Sequence, residues 1–450
     1  MNDWLTAAAT SRPGHPAVET LGGSLTYAEL DERVQAAARR LAALGVEEGG
    51  RVATTLPPSL DFCVLLHAAP RIGAALVPLN TRLADGERRR QAEAVGADVI
   101  VDRPLDGMEA AIDPRRDLEP DSVHTVLFTS GTGGEPKPVE LTVANQDASA
   151  AASASAFGVD PDDRWLCPLP LFHVAGIGIL VRCARNATTA VLHERFDAAR
   201  VVTAVTDGDA SLISLVPTQL RRLRDVGLAT APRLRALLLG GGPIPPDLID
   251  WARAMDLPVR CTYGMTESAS QIAVTGAWES AATPLPGVEL QIADDGEILV
   301  RGPMVSPGAI AADGWLHTGD RGSIDRHGRL HVEGRIKELI VTGGEKVAPA
   351  AVEAVLAAHP AVADAGVAGL PDPDWGEAVT AFVVECNPVS DYDLLAFCRE
   401  RLAGYQVPKR IVRLAELPRN ATGKLQRARL VDLGRPGATG GPGGASPPII

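Results

Sequence analysis

The chain has 450 residues, of which 46% are hydrophobic, and its formal net charge is -13 at pH 7. This composition supplies enough apolar surface for a large core and for more than one domain. The negative charge argues against a nucleic-acid binder or a membrane-surface binder, because such proteins need a basic surface to contact phosphates. Small-molecule chemistry fits the composition better.

The six cysteines are widely spaced, without a CxxC pair or a local His/Cys cluster of zinc spacing. We therefore expect reduced thiols in a cytoplasmic protein. The N-terminal residues lack a basic segment followed by a long apolar run, so no signal peptide is expected. The most apolar stretch, residues 62–79, is interrupted by His67, Pro70 and Arg71, and it is expected to be core and not a membrane span.

The first clear element is a helix. Thr26 and Glu29 have the spacing of a capping box, and apolar residues then recur at helical intervals until Gly45. Short aliphatic segments follow, separated by helix-like segments such as 247–255. The aliphatic segments are residues 74–79, 98–102, 123–128, 189–192, 211–216, 235–239 and 258–262. Strands that alternate with helices predict an α/β fold with mainly parallel sheets covered by helices.

From about residue 286 the pattern changes to alternation with period two around Asp-Gly and His-Gly turns, which predicts a hairpin-rich β module. About a hundred residues with their own helix and strand patterns follow, and they predict a small α+β domain. The expected boundaries are 1–334 for a large N-terminal domain and 335–433 for a small C-terminal domain. Residues 434–450 are rich in Gly and Pro and are expected to be disordered.

Lysine is rare in this chain, with Lys137, Lys337, Lys346, Lys409 and Lys424 among 43 basic residues. Three of the five lie in glycine-containing stretches. An ammonium is a compact point charge that a guanidinium does not always replace at a phosphate or a reacting carboxylate. The pattern favours a functional role for Lys137 and Lys424 and an ordinary surface position for Lys409.

The first chemical motif, Thr129–Lys137, reads TSGTGGEPK and directly follows a predicted strand. Its glycines allow backbone N–H groups to approach phosphate oxygens, its hydroxyls add donors, and its lysine adds positive charge. It is not the Walker pattern. An ordinary loop is the alternative interpretation, and the position after a buried strand favours the phosphate loop.

Two further motifs carry oxygen ligands. In Tyr263–Glu267 a hydroxyl and a carboxylate suit Mg²⁺ held together with phosphates, although Thr-Glu is also typical of a helix N-terminus. In GWLHTGD, the carboxylate of Asp320 can accept hydrogen bonds from both hydroxyls of a ribose, and Arg335 can bind the same sugar or a phosphate. A turn residue and a surface ion pair are the alternatives for this last pair.

Several predicted strands end directly in such loops, after Phe128, Leu239 and Cys261. In open α/β sheets the ligand crevice lies beyond the carboxyl ends of the strands. We therefore expect these three loops to converge on one site.

Together these motifs resemble the adenylate-forming superfamily of acyl-CoA synthetases, nonribosomal adenylation domains and luciferases. The resemblance extends from about Leu25 to Leu430 and includes five motifs in the family's order. It implies ATP and Mg²⁺ as cofactors, CoA as co-substrate, a small-molecule carboxylic acid as substrate, and a mobile C-terminal domain. We expect no nucleic-acid partner and no membrane insertion, and a homodimer is one of the open alternatives for the oligomeric state.

The resemblance also implies a role for individual residues. The phosphate loop would consist of Thr129, Ser130, Gly131, Thr132, Gly134 and Lys137. The adenine and the acyl group would lie between Gly240, Gly241, Gly242 and Tyr263, with Thr266 and Glu267 serving phosphate and Mg²⁺. Asp320 and Arg335 match the ribose-binding pair, Lys337 the hinge, and Lys424 the catalytic lysine that contacts the reacting carboxylate. His173 matches the gate of the acyl channel, although a lone histidine is more often a packed core residue.

The phosphate loop departs from the family pattern at two positions. Gly133 stands where a second Ser or Thr is usual, and Pro138 replaces the usual glycine after Lys137. One hydroxyl and one backbone donor are therefore missing, which predicts a weaker grip on pyrophosphate. A degenerate loop is the alternative.

Within the superfamily, the segments around 170–180, 188–197, 263–272 and 399–424 are most similar to the o-succinylbenzoate:CoA ligases of menaquinone biosynthesis. That substrate keeps a second carboxylate, which needs a cationic or hydroxyl partner when it is buried. Ser268, Ser270 and Arg182 are the residues considered, with an exposed helical position favoured for Arg182. The alternatives are another aryl or medium-chain acyl-CoA synthetase, an enzyme that loads a carrier-protein thiol, and a non-catalytic adenylate binder.

Overall fold

A computed structural model describes residues 1–129, 136–419 and 425–435, and the structural statements below refer to these residues. The helices are α1 (Trp4–Ser11), α2 (Tyr27–Ala43), α3 (Leu60–Ala68), α4 (Asp85–Ala94), α5 (Val143–Phe157), α6 (Val174–Asn186), α7 (Ala198–Thr206), α8 (Pro217–Asp225), α9 (Pro246–Ala254), α10 (Pro349–Ala357), α11 (Asp391–Arg399) and α12 (Arg427–Gly434).

The strands of the first half of the chain are β1 (Pro16–Thr20), β2 (Gly23–Thr26), β3 (Arg51–Thr54), β4 (Ala75–Pro78), β5 (Val99–Val101), β6 (Val123–Thr129), β7 (Lys137–Thr142), β8 (Arg164–Cys167), β9 (Thr189–Leu192), β10 (Leu212–Leu215), β11 (Ala236–Leu239) and β12 (Val259–Tyr263). Those of the second half are β13 (Ala273–Thr275), β14 (Ala282–Pro284), β15 (Glu289–Ile292), β16 (Glu297–Arg301), β17 (Leu316–Ile324), β18 (Leu330–Arg335), β19 (Ile340–Thr342), β20 (Glu345–Val347), β21 (Val362–Asp372), β22 (Gly376–Glu385) and β23 (Arg410–Arg413).

A smaller N-terminal sheet carries the first chemical motif. Its order is β5-β3-β4-β6-β7, with parallel pairs except for the antiparallel pair of β6 and β7. Because β7 is an edge strand, its Pro138 can lack an N–H donor without leaving a gap inside the sheet.

The long sheet combines two kinds of strand pairing. Its order is β15-β16-β17-β18-β14-β13-β12-β11-β10-β8-β9-β1-β2. From β12 to β1 all neighbouring strands are parallel, and from β12 to β15 all are antiparallel. The change occurs at β12, which ends at Tyr263. The candidate residues that follow therefore lie at the boundary between the two halves.

The C-terminal strands form a separate sheet of order β20-β19-β22-β21, with β23 added parallel to β22. Helix α10 packs on this sheet through Val352 and Leu356, which lie in a core with Val367 and Val383. The sheet has its own apolar core because both faces of β22 are covered.

Most of the predicted elements are confirmed. All seven aliphatic segments are strands, and the capping box of Thr26 and Glu29 begins α2 as the spacing predicts. The alternating segments after residue 286 form the antiparallel hairpins β15–β16 and β17–β18. The chain therefore has the predicted α/β class. The predicted tail lies outside the described residues from position 436 onward.

A buried ionic cluster joins the first two helices to the turn after α3. Arg71 is 1% exposed, and its guanidinium contacts Asp3 and Asp31 at 2.5 Å each. The buried Arg71 and Asp3 are therefore paired with each other, and Asp31 adds a second, partly exposed partner, which is the condition for placing ions in a core. In the described part of the chain no helix has the length and apolarity needed to cross a membrane.

Candidate active site

Asp320 is the centre of a three-residue cluster. Its Oδ1 lies 2.8 Å from Nε of Arg335, and its Oδ2 accepts a 2.8 Å hydrogen bond from the hydroxyl of Tyr263. Burial and the negative charge of Asp320 raise the pKa of Tyr263, so the phenol stays protonated and donates. The structure thus brings together three residues that are 72 positions apart in sequence at their extremes, from Tyr263 to Arg335.

A β-bulge places Asp320 in this cluster. Leu299 of β16 faces His317, whereas Glu297, two residues earlier, faces Arg321, so β17 carries extra residues at 318–320. Gly319 has a φ of 70°, which a residue with a side chain rarely adopts. Bulges beside functional sites commonly re-aim a side chain, and here the side chain is that of Asp320.

The Thr266–Ser268 turn leaves two oxygen ligands free. Gly264 is required before it, because a Cβ there would lie 1.8 Å from the carbonyl oxygen of Ser270. Ser268 is buried, and its hydroxyl hydrogen-bonds with the backbone of Met265. In the part of the chain that the structure describes, no hydrogen bond or ion pair involves the side chains of Thr266 and Glu267.

These two free groups fit Mg²⁺. The ion prefers oxygen ligands and is usually bound by one or two carboxylates together with substrate phosphates. The described residues contain no group of three or more His, Cys, Asp or Glu that could hold a metal alone. A site that shares the ion with a nucleotide therefore suits this donor set better than an all-protein cage.

Ser306 connects this turn to the strand that follows the phosphate motif. Its backbone N–H donates to the carbonyl of Glu267 at 2.8 Å, and its hydroxyl donates to the carbonyl of Glu140 in β7 at 2.7 Å. Ser149 of α5 also donates to the carbonyl of Ala269. These contacts connect the turn after β12 to β7 and α5, the elements that follow the phosphate motif, whereas the first loop itself lies outside the described residues. Ser306 is not predicted from the sequence, because nothing local to it indicates a contact 166 residues away.

The two ends of the phosphate motif lie opposite each other. Thr129 of β6 pairs with Lys137 of β7, and the Thr129 hydroxyl donates to the Lys137 carbonyl at 3.3 Å. The predicted loop residues Ser130, Gly131, Thr132 and Gly134, with the departure at Gly133, lie outside the described residues. The described strands on either side of this segment are therefore an antiparallel pair.

The segment Gly240–Gly242 follows β11, beside the end of β12. A Cβ at Gly240 would lie 2.3 Å from the Thr262 hydroxyl, so only glycine allows the two strand ends to approach this closely. Gly241 has a φ of 80°. This loop therefore lies next to Tyr263, as the second converging loop was predicted to do.

His173 lies at the start of α6. Its ring packs edge-on against Phe172 at a centroid distance of 4.6 Å. Its Nε2 is buried without a partner among the described residues. Burial lowers the pKa of His173 to about 4, so the ring is neutral near pH 7. A neutral aromatic ring with an unused nitrogen suits both a gate and a packed core residue.

The expectation of an exposed Arg182 is wrong. Arg182 is 3% exposed, and its guanidinium lies 5.6 Å from the Trp165 ring centre and beside Gly178, one turn closer to His173. Its Nε and Nη2 have no hydrogen-bond partner among the described residues. Burial lowers the pKa of Arg182 to about 10, which still leaves it charged at pH 7. The error arose because helical position alone does not show which elements cover a side chain.

Lys337 is exposed in the short turn Ile336–Glu338, directly after β18. Lys424 lies outside the described residues, but Arg419 and Leu425 on either side of it form a β-bridge. The structure therefore defines both flanks of the segment that carries Lys424.

The comparisons with known proteins identify the family of the chain. A model of the AMP-binding enzyme family matches residues 5–309, and a model of the AMP-binding enzyme C-terminal domain matches residues 351–424. The chain belongs to the AMP-binding enzyme family. Thr129, Gly240, Tyr263 and Thr266 all lie within the larger match.

Individual AMP-binding enzymes are similar over nearly the whole chain. The 2-succinylbenzoate--CoA ligase of Bacillus licheniformis is 38% identical, over 95% of this chain and 99% of the relative. The o-succinylbenzoate CoA synthetase of Bacillus subtilis, solved with its acyl-adenylate intermediate, has a TM-score of 0.90 at 35% identity, over 96% of this chain and 98% of that one. The same enzyme solved with ATP and magnesium also has a TM-score of 0.90, at 35% identity over 96% and 99% of the two chains.

Proposed function

We propose that this protein is an ATP-dependent acid:CoA ligase that forms o-succinylbenzoyl-CoA through an acyl-adenylate, with release of AMP and pyrophosphate. ATP, Mg²⁺ and CoA are the implied cofactors and co-substrate. The observation that carries the proposal is the cluster of Tyr263, Asp320 and Arg335 beside the free Thr266 and Glu267 side chains. The similarity to o-succinylbenzoate:CoA ligases over nearly the full length supports the choice of acid.

In the first half-reaction, an oxygen of the substrate carboxylate attacks the α-phosphorus of ATP, and pyrophosphate leaves. Asp320 would accept hydrogen bonds from the ribose hydroxyls, while Arg335 and Tyr263 hold its carboxylate. Lys424 would neutralise charge on the reacting carboxylate, and Lys137 would do so on the phosphates. Mg²⁺, bound by Thr266 and Glu267 when present, would neutralise phosphate charge. Positioning and charge neutralisation are the main needs of this step.

In the second half-reaction, the sulfur of CoA attacks the acyl carbon, AMP leaves and the thiol proton is released. Rotation of residues 335–433 about Lys337 would withdraw Lys424 and admit the thiol. The boundaries 1–334 and 335–433 are part of the proposal. The separate C-terminal sheet and the exposed turn at Lys337 support them, with β18 ending at Arg335, one residue beyond the first boundary.

Arg182 is the residue we assign to the second carboxylate of the acid. It is a buried cation whose Nε and Nη2 have no hydrogen-bond partner and which has no carboxylate partner among the described residues, and such a charge is costly unless a ligand pairs with it. Its guanidinium lies toward the His173 end of α6, where the acyl group is expected. Ser268 suits the role less well, because its hydroxyl is already used by Met265.

The test is pyrophosphate release from ATP and Mg²⁺ with a panel of carboxylic acids, each with and without CoA, and with Lys424→Ala as control. We expect CoA-dependent turnover with o-succinylbenzoate and a loss of it in the variant. Turnover only with other aryl or medium-chain acids would overturn the assigned acid and keep the ligase. Adenylate formation without any use of CoA would favour a carrier-protein thiol as the acceptor.

A further inference from the structure

A chain of contacts connects an exposed histidine to the bulge that carries Asp320. His317 lies between two carboxylates, with Nδ1 2.8 Å from Glu297 and Nε2 3.0 Å from Asp313. The second oxygen of Glu297 accepts a 2.7 Å hydrogen bond from the backbone N–H of Gly319. Glu297 therefore joins the imidazole to the residue immediately before Asp320.

The Glu297 carboxylate binds the bulge at Gly319, the residue with the least favourable backbone conformation. Gly319 has left-handed backbone geometry, and its N–H points away from the regular ladder into the carboxylate. A hydrogen bond from a backbone N–H to a charged acceptor is stronger than a neutral one. Thr318 completes the restraint, because its hydroxyl donates to the Ile298 carbonyl and accepts from the Asp320 N–H.

We propose that Glu297, held by His317, is a positioning residue that sets the Asp320 carboxylate for recognition of the ribose hydroxyls. The proposal rests on the proposed function, since it takes Asp320 as the ribose-binding group. Glu297 acts through the backbone of Gly319.

The His317 contact makes this positioning dependent on pH. The hydrogen bonds to Asp313 and Glu297 raise the pKa of His317 above its usual value. The contribution of the imidazolium is therefore fully present below pH 6.5 and is lost as the pH rises through the raised pKa. The other charged groups on the strands packed beside this segment are paired with one another, Arg301 of β16 with Glu289 of β15 and Arg321 of β17 with Glu333 of β18.

The experiment compares equilibrium binding of ATP and 2′,3′-dideoxy-ATP, in the presence of Mg²⁺, between pH 6 and pH 9. The ratio of the two affinities reports recognition of the hydroxyls, and ionisation of the phosphates cancels in it. We expect Glu297→Ala to reduce the ratio about tenfold through loss of ATP affinity. We expect Glu297→Gln, which keeps an acceptor for Gly319, to retain most of the ratio and to lose its pH dependence.

His317→Gln should likewise make the ratio independent of pH. The matched control is His331→Gln, because His331 is also a half-exposed histidine near a carboxylate, 3.7 Å from Asp325, on the neighbouring strand. That control should keep the wild-type pH dependence. If Glu297→Ala does not fold, the pH profiles of Glu297→Gln and His317→Gln decide the question.

Two results would overturn the inference in distinguishable ways. Only the positioning role fails if Asp320→Asn abolishes the difference in affinity between the two nucleotides while a folded Glu297→Ala keeps it. The same holds if Glu297→Gln and His317→Gln both keep the wild-type pH profile. If the wild type does not distinguish the two nucleotides, or Asp320→Asn leaves the ratio unchanged, the ribose assignment of the proposed function fails with it.

Discussion

Arg427 Nε lies 3.0 Å from the carboxylate of Glu338, so the helix after Lys424 is tied to the turn that contains Lys337. The Nε–H does not point at Glu338, so the contact is an ion pair and not a hydrogen bond. Arg427 also contacts Glu353 in α10 at 2.9 Å, which anchors it in the C-terminal core. The turn of the proposed hinge is thus anchored to the helix that follows the segment of Lys424 in sequence.

We expect Glu338→Gln to slow adenylate formation about threefold and to change thioester formation less, because a partly exposed ion pair is worth up to about 1 kcal/mol. The measurement is pyrophosphate exchange for the first half-reaction and consumption of preformed adenylate by CoA for the second. Glu353→Gln is the control. This variant removes the other carboxylate that pairs with Arg427 and leaves the Arg427 charge only partly paired. It should lower the free energy of unfolding by about 3 kcal/mol. Equal slowing of both half-reactions by Glu338→Gln would contradict the coupling.

Lys337→Pro tests the hinge itself. Proline fixes φ and removes a backbone donor, so rotation at this exposed turn should be blocked while the starting conformation is kept. We expect adenylate formation within about twofold of wild type and thioester formation reduced by about a hundredfold or more. The same two half-reaction measurements apply. Equal losses in adenylate formation and thioester formation would contradict the hinge assignment.

Arg182→Met should lower activity and raise stability together. Replacing a buried, unpaired cation with an apolar side chain of similar length removes its desolvation penalty, and the protein should gain about 1 kcal/mol or more. The kcat/KM for o-succinylbenzoate should fall by about a hundredfold, and that for monocarboxylic aryl acids much less. Steady-state kinetics and urea unfolding measure the two effects.

Arg71→Met is the matched comparison for Arg182→Met, because Arg71 is equally buried but is paired with Asp3 and Asp31. It should destabilise the protein by about 3 kcal/mol or more, since two carboxylates lose their partner. A destabilising Arg182→Met with unchanged selectivity among acids would mean that Arg182 is a structural residue.

Two buried histidines predict a loss of stability in mild acid. Burial lowers the pKa values of His67 and His124 to about 3 each. Below pH 6.5 the unfolded chain binds protons that the folded chain does not, so stability falls as the pH falls. At pH 5 the loss is up to about 2 kcal/mol for each histidine.

Urea unfolding between pH 5 and pH 7.5 measures this slope. The double variant His67→Gln/His124→Gln should reduce the slope to the smaller part that remains from His173, whose pKa burial lowers to about 4. His327→Gln, at an exposed turn, should leave the slope unchanged. A slope as steep in the double variant as in the wild type would assign the acid sensitivity to other groups.

The sequence predicts those features that local patterns determine. The capping box of Thr26 and Glu29, the aliphatic strands and the hairpins after residue 286 depend on neighbours within a few positions, and all are confirmed. The resemblance added the pairing of Asp320 with Arg335, which the register of β17 and β18 then places side by side.

Other features depend on contacts between distant segments. The burial of Arg182 results from packing of α6 against β8, and the role of Ser306 results from contacts with Glu140 and Glu267. In the sequence, Glu297 is an ordinary polar residue of an alternating strand. Only the register of β16 and β17 places it opposite the bulge. No local pattern carries this information, because it arises only when the sheets are assembled.

The long sheet changes from parallel to antiparallel pairing at β12, and the proposed nucleotide contacts fall on both sides of that change. Gly240 belongs to the parallel side, Asp320 and Arg335 belong to the antiparallel side, and Tyr263 lies between them. A bound nucleotide would therefore contact both sides of the sheet and restrain the short strands β13 and β14, which lie between β12 and β18. Amide hydrogen exchange in these two strands should therefore become slower when a nucleotide is bound, although neither strand carries a residue assigned to bind it.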